Sequence, residues 1–353
     1  MVEKATVLVT AAGGIIGEGV IKSLRLANEK RGPVSYDIIA ADASPQAAGL
    51  YRADRGFLVP GAAAPDYIER LVKLAKANGV SAIFVGADEE LLAVASAAER
   101  IKKESGAVAI TNKPETIAVG SDKWKTYEFM RKNGLPCAES ALPRGTERFV
   151  KEFGFPVVVK PREGHGSEEF HVAGGTEELD HALEAIRKRG WRPMLQEFLG
   201  GKDDEFTTGV TVGKGKKVMS SIAMRRSLKG GQTYKAFIDD FPEVRRAAED
   251  VAVRLGGAGP VNVQARMAEG EPKLFEINPR LSASSPIRAA AGVNEPDILY
   301  RNFVLGEEIR PQGYEKLVCL RYWNEVYVPH VDYEKARKTG KVKGSGSWIP
   351  DYF

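Results

Sequence analysis

Apolar residues in the first 113 positions fall into short blocks of two kinds. Near-continuous apolar runs at 6–10, 36–42, 82–86 and 108–111 read as strands buried on both faces. Between them apolar residues recur at helical spacing, as in Val20, Ile21 and Leu24, and in the segments 65–78 and 88–104, the last with Asp88 placed as a cap. This alternation predicts a parallel sheet with helices on both faces. From Lys113-Pro114 onward the style changes to α+β: helices at 114–119, 123–133, 146–153, 176–189 and 241–255, and strands at 155–161, 170–173, 193–200, 205–212 and 217–224. The expected units are a parallel α/β domain at 1–113, an α+β domain at 114–310 with a subdomain at about 146–198, and a small extension at 311–353.

One hairpin organises the second unit. Two alternating runs between Pro260 and Arg280 flank Glu269-Gly270-Glu271, so a turn centred on Gly270 sets Gln264 opposite Glu276. Side chains two apart share a strand face, and Asn278 therefore joins Glu276 and Gln264. A carboxylate with two amide oxygens suits Mg²⁺, a hard ion that takes its other ligands from water and phosphate. Arg280, one step further on that face, offers a fork of donors to a phosphate. A surface hairpin with incidental polar residues has the same spacing, so the pattern leaves both readings open.

Other stretches carry candidate chemistry. Lys123 stands at a helix start, where a cation opposes the helix dipole. Lys160 ends a strand and leads into a loop with Gly164, Gly166 and Ser167, which reads as a flap whose backbone N–H groups cover phosphates. Gln196 and Glu197 lie side by side on an apolar strand, suited to reading a base edge or to an ordinary sheet edge. The run 225–235 is basic and glycine-bearing, and reads as a functional loop; Arg225 within it and Arg288 further on are substrate-anion candidates from charge and location. The glycine turn Gly13–Gly17, with an acid at Asp42, also admits a dinucleotide reading.

Composition narrows the class. The 353 residues are 43% hydrophobic and 28% charged with a net charge of +4, which is ordinary for a globular chain and too balanced for a nucleic-acid binder. Cys137 and Cys319 are far apart, arguing against a disulfide framework or zinc site. The start lacks a signal-peptide pattern and no apolar run reaches bilayer length, so the expectation is a cytoplasmic protein without membrane partners. The basic stretch at 335–343 has no aromatic residue for base stacking and reads as a solvated or partner-facing surface.

In this order the parts resemble the ATP-grasp superfamily, most closely its carbamoyl-phosphate-synthase-like single-module members, over nearly all of residues 6–310. The resemblance implies an ATP-grasp fold preceded by a Rossmann-like domain that does not bind NAD. It implies that Gln264, Glu276 and Asn278 hold Mg²⁺, with Mn²⁺ as a substitute, and that Arg280 contacts the transferred phosphate. By the same resemblance Lys123 and Lys160 bind ATP phosphates, Gly164, Gly166 and Ser167 form the flap, Gln196, Glu197 and Leu199 the adenine hinge, and Glu205 meets the ribose. The implied activity is ATP-dependent ligation of a carboxylate to an amine through an acyl phosphate; Arg225, assisting catalysis, and Arg288, near substrate, join this picture from charge and location alone. The flap departs from the pattern in its few glycines and in Glu168-Glu169, and a single module without a glutaminase argues against carbamoyl phosphate synthesis itself. Small-molecule carboxylate and amine are the expected partners, with a homodimer among the open assemblies. An NAD(P)-dependent oxidoreductase or epimerase, and a non-catalytic ATP-binding module, are the alternatives.

Overall fold

Three sheets, each built mainly by a different stretch of chain, make up the computed structural model, which describes residues 2–164, 168–200 and 205–351. The first stretch runs β1 (Glu3–Val9), α1 (Ile15–Glu29), β2 (Val34–Asp42), α2 (Ala48–Arg52), β3 (Arg55–Leu58), α3 (Tyr67–Ala77), β4 (Ala82–Phe84), α4 (Asp88–Ser96), α5 (Ala98–Ser105) and β5 (Val108–Ile110). These strands pair in parallel in the order β3-β2-β1-β4-β5. Val7, Val9 and Ile38 pack against α1, while Leu8, Ile39 and Ile83 face α3, α4 and α5, which is why the strand sequences are apolar at nearly every position. The expected helix over 88–104 breaks at Ala97 into two.

A small antiparallel sheet follows. After α6 (Pro114–Gly120) and α7 (Lys123–Lys132) come β6 (Ser140–Ala141), α8 (Thr146–Phe153), β7 (Val157–Pro161), β8 (His171–Ala173), α9 (Thr176–Lys188) and β9 (Pro193–Glu197), with strand order β6-β9-β7-β8. Phe149, Val157, Val159, Leu183 and Ile186 form the core between this sheet and its two helices.

The third sheet is formed by β10 (Glu205–Val212), β11 (Val218–Lys229), β12 (Gln232–Ile238), then α10 (Pro242–Arg254), β13 (Gly259–Ala268), β14 (Glu271–Asn278), α11 (Ser285–Ala290), α12 (Glu295–Phe303) and β15 (Leu317–Leu320), in the order β14-β13-β10-β11-β12-β15. One face, with Val210, Val263 and Ile277, is covered by α7 and α10. The opposite face meets α11 at Ile222, Met224 and Ile238. The basic run expected as a loop at 225–235 is instead the end of β11, a tight turn at Gly230 and Gly231, and the start of β12.

The C-terminal segment 311–353 pairs with two of the sheets. Its first part adds β15 to the edge of the third sheet, and its second, α13 (His330–Thr339) with β16 (Lys341–Lys343), returns to the first. There β16 pairs antiparallel with β3, setting Val342 over Gly56 and covering the sheet edge. Composition could not reveal this, because strand pairing across the chain leaves no local signal. Among the described residues no helix is long and apolar enough to cross a membrane.

The hairpin β13–β14 is held by hydrogen bonds from the first domain and by close packing against α6. Buried Asn112, just after β5, donates to Pro260 O at 2.6 Å and to Pro279 O at 3.0 Å, holding both hairpin ends. At Gly120 any Cβ would lie 2.3 Å from Pro279 Cδ, so the chain needs glycine to approach the strand this closely.

Candidate functional site

The hairpin reaches its expected pairing by an unexpected route. Ala268 pairs with Glu271, so the two-residue turn is Glu269-Gly270, both at positive φ (54° and 82°) as a type I′ turn requires. That centre is half a residue early, and unbroken pairing would set Gln264 against Phe275. A bulge corrects it: Ala265 faces Leu274, Phe275 is the extra residue, and Gln264 faces Glu276. Asn262 then stands opposite Asn278.

A cavity of about 350 Å³ lies between the small sheet and the third sheet. Lys123, Lys160, Gln264 and Glu276 line it together with Gly164, and Val158, Phe198, Leu199 and Leu228 give it apolar walls. Asn278 donates to Glu276 Oε1 at 2.9 Å. Burial opposes ionisation of Glu276, but Lys123, the Asn278 bond, Lys160 and Arg280 outweigh it and hold the carboxyl below its ordinary range. A carboxylate therefore stands among cations on the cavity face.

Lys160 is almost wholly buried, and its Nζ donates to Gln196 Oε1 at 2.7 Å, while Gln196 Nε2 donates to Ser140 Oγ at 3.0 Å. Burial first, then repulsion from Lys123, lower the Lys160 ammonium to about 7, partly opposed by Glu276 and Glu205. The Gln196 side chain thus holds Lys160, while the residue itself stays in the cavity lining. Glu197 likewise turns its carboxylate to Glu139 N at 2.9 Å and Lys273 at 3.4 Å. Lys123 follows Asp122, which caps α7 by accepting from Trp124 N and is gripped by Arg162. Lys123 Nζ donates to Gly164 O at 2.6 Å, so the anchoring carboxylate, the cation and the loop start form one connected unit.

Glu205 lines the cavity, but both its oxygens are engaged. Arg226 donates to Oε1 at 2.9 Å and Arg266 to Oε2 at 2.7 Å. Arg226, not Arg225, shares this face. Arg225 pairs with Phe206 on the other side of the sheet and lies over the Phe237 ring at 5.1 Å, so its expected catalytic place is corrected by strand parity. Arg288 is also corrected. It is fully buried, donating to Glu295 at 3.1 Å and to Asn262 Oδ1 at 2.7 Å, and reaches no substrate space.

Arg280 has an unforeseen partner. Its Nε donates to Asp88 Oδ1 at 2.6 Å and its Nη2 to Asp88 Oδ2 at 3.0 Å. Asp88 begins α4, whose N-cap is Ala87, so it is not the cap the sequence suggested. The dinucleotide reading is not favoured by the first-domain geometry. Asp42 accepts from Gly13 N at 2.8 Å and Ser44 N at 2.9 Å, capping the glycine turn where a ribose would need it.

The donor set fits a hard divalent cation. Glu276 supplies an ionised oxygen, and Gln264 directly across and Asn278 beside it supply amide oxygens on one face. Among the described residues no group of three His, Cys, Asp or Glu forms a richer site. Of the flap residues, Gly166 and Ser167 lie outside the described residues. Glu168 lines the cavity, whereas Glu169 turns away to His171 and Arg189, each pair near 2.9 Å and 2.8 Å.

Comparison with known proteins places these features. A family model described as "ATP-grasp in the biosynthetic pathway with Ter operon" matches residues 192–324, and one described as "PylC-like, N-terminal domain" matches residues 12–109. The chain is 24% identical over 312 residues to the carbamoyl phosphate synthase large chain of Vibrio cholerae, covering 80% of this chain and 28% of that one. The chain thus spans about a quarter of the length of such large chains. The biotin carboxylase domain of Hydrogenobacter thermophilus 2-oxoglutarate carboxylase, solved as a dimer with MgADP, ADP and bicarbonate, superposes with a TM-score of 0.66 at 22% identity, covering 86% of this chain and 70% of that one. N5-carboxyaminoimidazole synthetase from Staphylococcus aureus, solved with ADP, gives 0.67 at 15% identity, covering 89% and 81%.

Proposed function

We infer that this chain, an ATP-grasp protein of the carbamoyl-phosphate-synthase-like kind, is an ATP- and Mg²⁺-dependent ligase that joins a carboxylate to an amine through an acyl phosphate. The observation that carries the reading is Glu276: an ionised carboxylate, paired across the hairpin with Gln264 and bonded to Asn278, on a cavity wall that also bears Lys123 and Lys160.

In this reading the apolar walls take the adenine, and Lys123 and Lys160 take nucleotide phosphate oxygens. Bound at Glu276, Asn278 and Gln264, Mg²⁺ would neutralise charge on the transferring phosphoryl group. A carboxylate oxygen attacks the γ-phosphorus and ADP departs. The amine nitrogen then attacks the acyl carbon, phosphate leaves, and the amine loses a proton. The protein's own part is positioning and charge: two lysines near the leaving phosphates, Arg280 beside the new acyl phosphate, and apolar cavity walls that limit water around it.

The thermal midpoint tests this reading with Mg-ATP, ATP plus chelator, and NAD(P)H, on wild type and Glu276→Ala. A ligand at about 100 times its dissociation constant adds about 2.7 kcal/mol. A rise with Mg-ATP alone, lost in the variant, supports the site; ADP release with paired carboxylates and amines then identifies the substrates. A rise with NAD(P)H alone overturns it.

A further inference from the structure

We propose that Asp88 is a positioning residue for Arg280, so that the N-terminal parallel sheet completes the phosphoryl-transfer site. This rests on reading the cavity as a phosphoryl-transfer centre.

Arginine has five N–H donors. Four of those of Arg280 are committed: Nε and one Nη2 N–H to Asp88, the other Nη2 N–H to Asn278 Oδ1 at 3.1 Å, and one Nη1 N–H to Leu281 O at 3.1 Å. A single Nη1 N–H remains for a phosphate oxygen, and its direction is set by the partners of the other four. Asp88 supplies two of these bonds, in the bidentate geometry that fixes a guanidinium plane. Asn278, the third partner, in turn bonds Glu276, so the orientation of Arg280 is passed straight to the carboxylate of the site.

The pair is badly placed to serve only as domain glue. The Asp88 carboxylate stays 31% exposed although Arg280 is only 12% exposed, so water screens part of what the pair could add to stability. Docking of the two domains is secured elsewhere by buried bonds, Asn112 to Pro260 and Pro279 and Tyr36 to Asp297 at 2.7 Å. Asp88 also stands at the carboxyl end of β4. The connection from β1 leads to β2 on one side and that from β4 leads to β5 on the other, so the crevice between β1 and β4 is the switch point of the sheet, where open α/β sheets place functional groups.

The test is the half-reaction that needs no knowledge of the natural substrates: Mg-ADP plus acetyl phosphate, giving ATP and acetate, read by luciferase. The phosphoryl group passes from the acetyl oxygen to the terminal oxygen of ADP, and acetate carries away the bonding pair. Wild type, Asp88→Asn and Asp88→Glu are compared, with Mg-ADP affinity measured by calorimetry. Asparagine has one acceptor oxygen, an NH₂ in place of the other and no charge, so it cannot form the two-oxygen fork to Nε and Nη2. We expect Asp88→Asn to lower kcat by about tenfold or more with Mg-ADP affinity unchanged, and Asp88→Glu to recover most of the rate. In an Arg280→Lys background the Asp88→Asn change should have no further effect, which keeps the test sound should one variant lose stability. Equal kcat in wild type and Asp88→Asn, or a change confined to Mg-ADP affinity, overturns the positioning role alone. A wild type that binds Mg-ADP yet forms no ATP from acetyl phosphate, carbamoyl phosphate or any other small acyl phosphate tried overturns the phosphoryl-transfer reading and this inference with it.

Discussion

Lys160 Nζ bonds Gln196 Oε1 at 2.7 Å across the pairing of β7 with β9, so the strand beside the cavity's apolar wall also holds its buried cation. Replacing Gln196 by Leu leaves that ammonium without its side-chain partner. An unsatisfied buried charged group costs more than about 1–3 kcal/mol, so Lys160 should shed its proton or move. Mg-ATP affinity, read by calorimetry at neutral pH, should fall about tenfold, with the cavity otherwise intact.

The lowered Lys160 ammonium gives a pH signature with a definite sign. With its folded value near 7 and its unfolded value near the ordinary lysine range of about 10.4, the unfolded chain holds the extra proton between those limits. This group's contribution to stability therefore rises with pH across that window and is least below 7. On the proposed reading nucleotide binding runs the other way, because a phosphate held by Lys160 needs the ammonium. Calorimetry in buffers of different ionisation enthalpy should show proton uptake on Mg-ATP binding above pH 7, with affinity declining toward pH 9, and Lys160→Arg should flatten both.

Arg288 is expected to matter for folding and not for nucleotide. With its partner Glu295 also buried, Arg288→Ala leaves a carboxylate stranded in the core at a cost of about 3–5 kcal/mol. Urea unfolding should show that loss. Whatever fraction folds should keep the full Mg-ATP midpoint shift, whereas a substrate-contacting arginine would spare stability and lose turnover.

The covered edge of the first sheet is open to the same kind of test. Val342 is buried against the core that holds Ala336, and Val342→Asp should destabilise the first domain by about 2 kcal/mol or more. Hydrogen exchange should locate the loss in β3 and β16, with the cavity residues unaffected.

Much of this was readable from local pattern. The parallel sheet follows from runs such as 36–42, and the pairing of Gln264 with Glu276 from a glycine turn and a period of two. Even there the agreement hides a cancellation, since the turn lies half a residue early and the Phe275 bulge makes up the difference. Arg225 and Arg226 show where local pattern stops being informative. Charge and location cannot separate neighbours that strand parity sends to opposite faces, and only the register against Glu205 decides. Asp88 was visible only as a helix start, because its partner is far along the chain and in another domain. The same non-locality concealed the pairing of β16 with β3.

That pairing sets an order of events during synthesis. The first sheet leaves the ribosome with β3 as a bare edge, and the strand that covers it emerges only after both other sheets have been made. Until then an unpaired strand stays open to any passing edge. Within this stretch of chain the first sheet therefore keeps an edge open the longest at β3, although its other strands are made before those of the two other sheets.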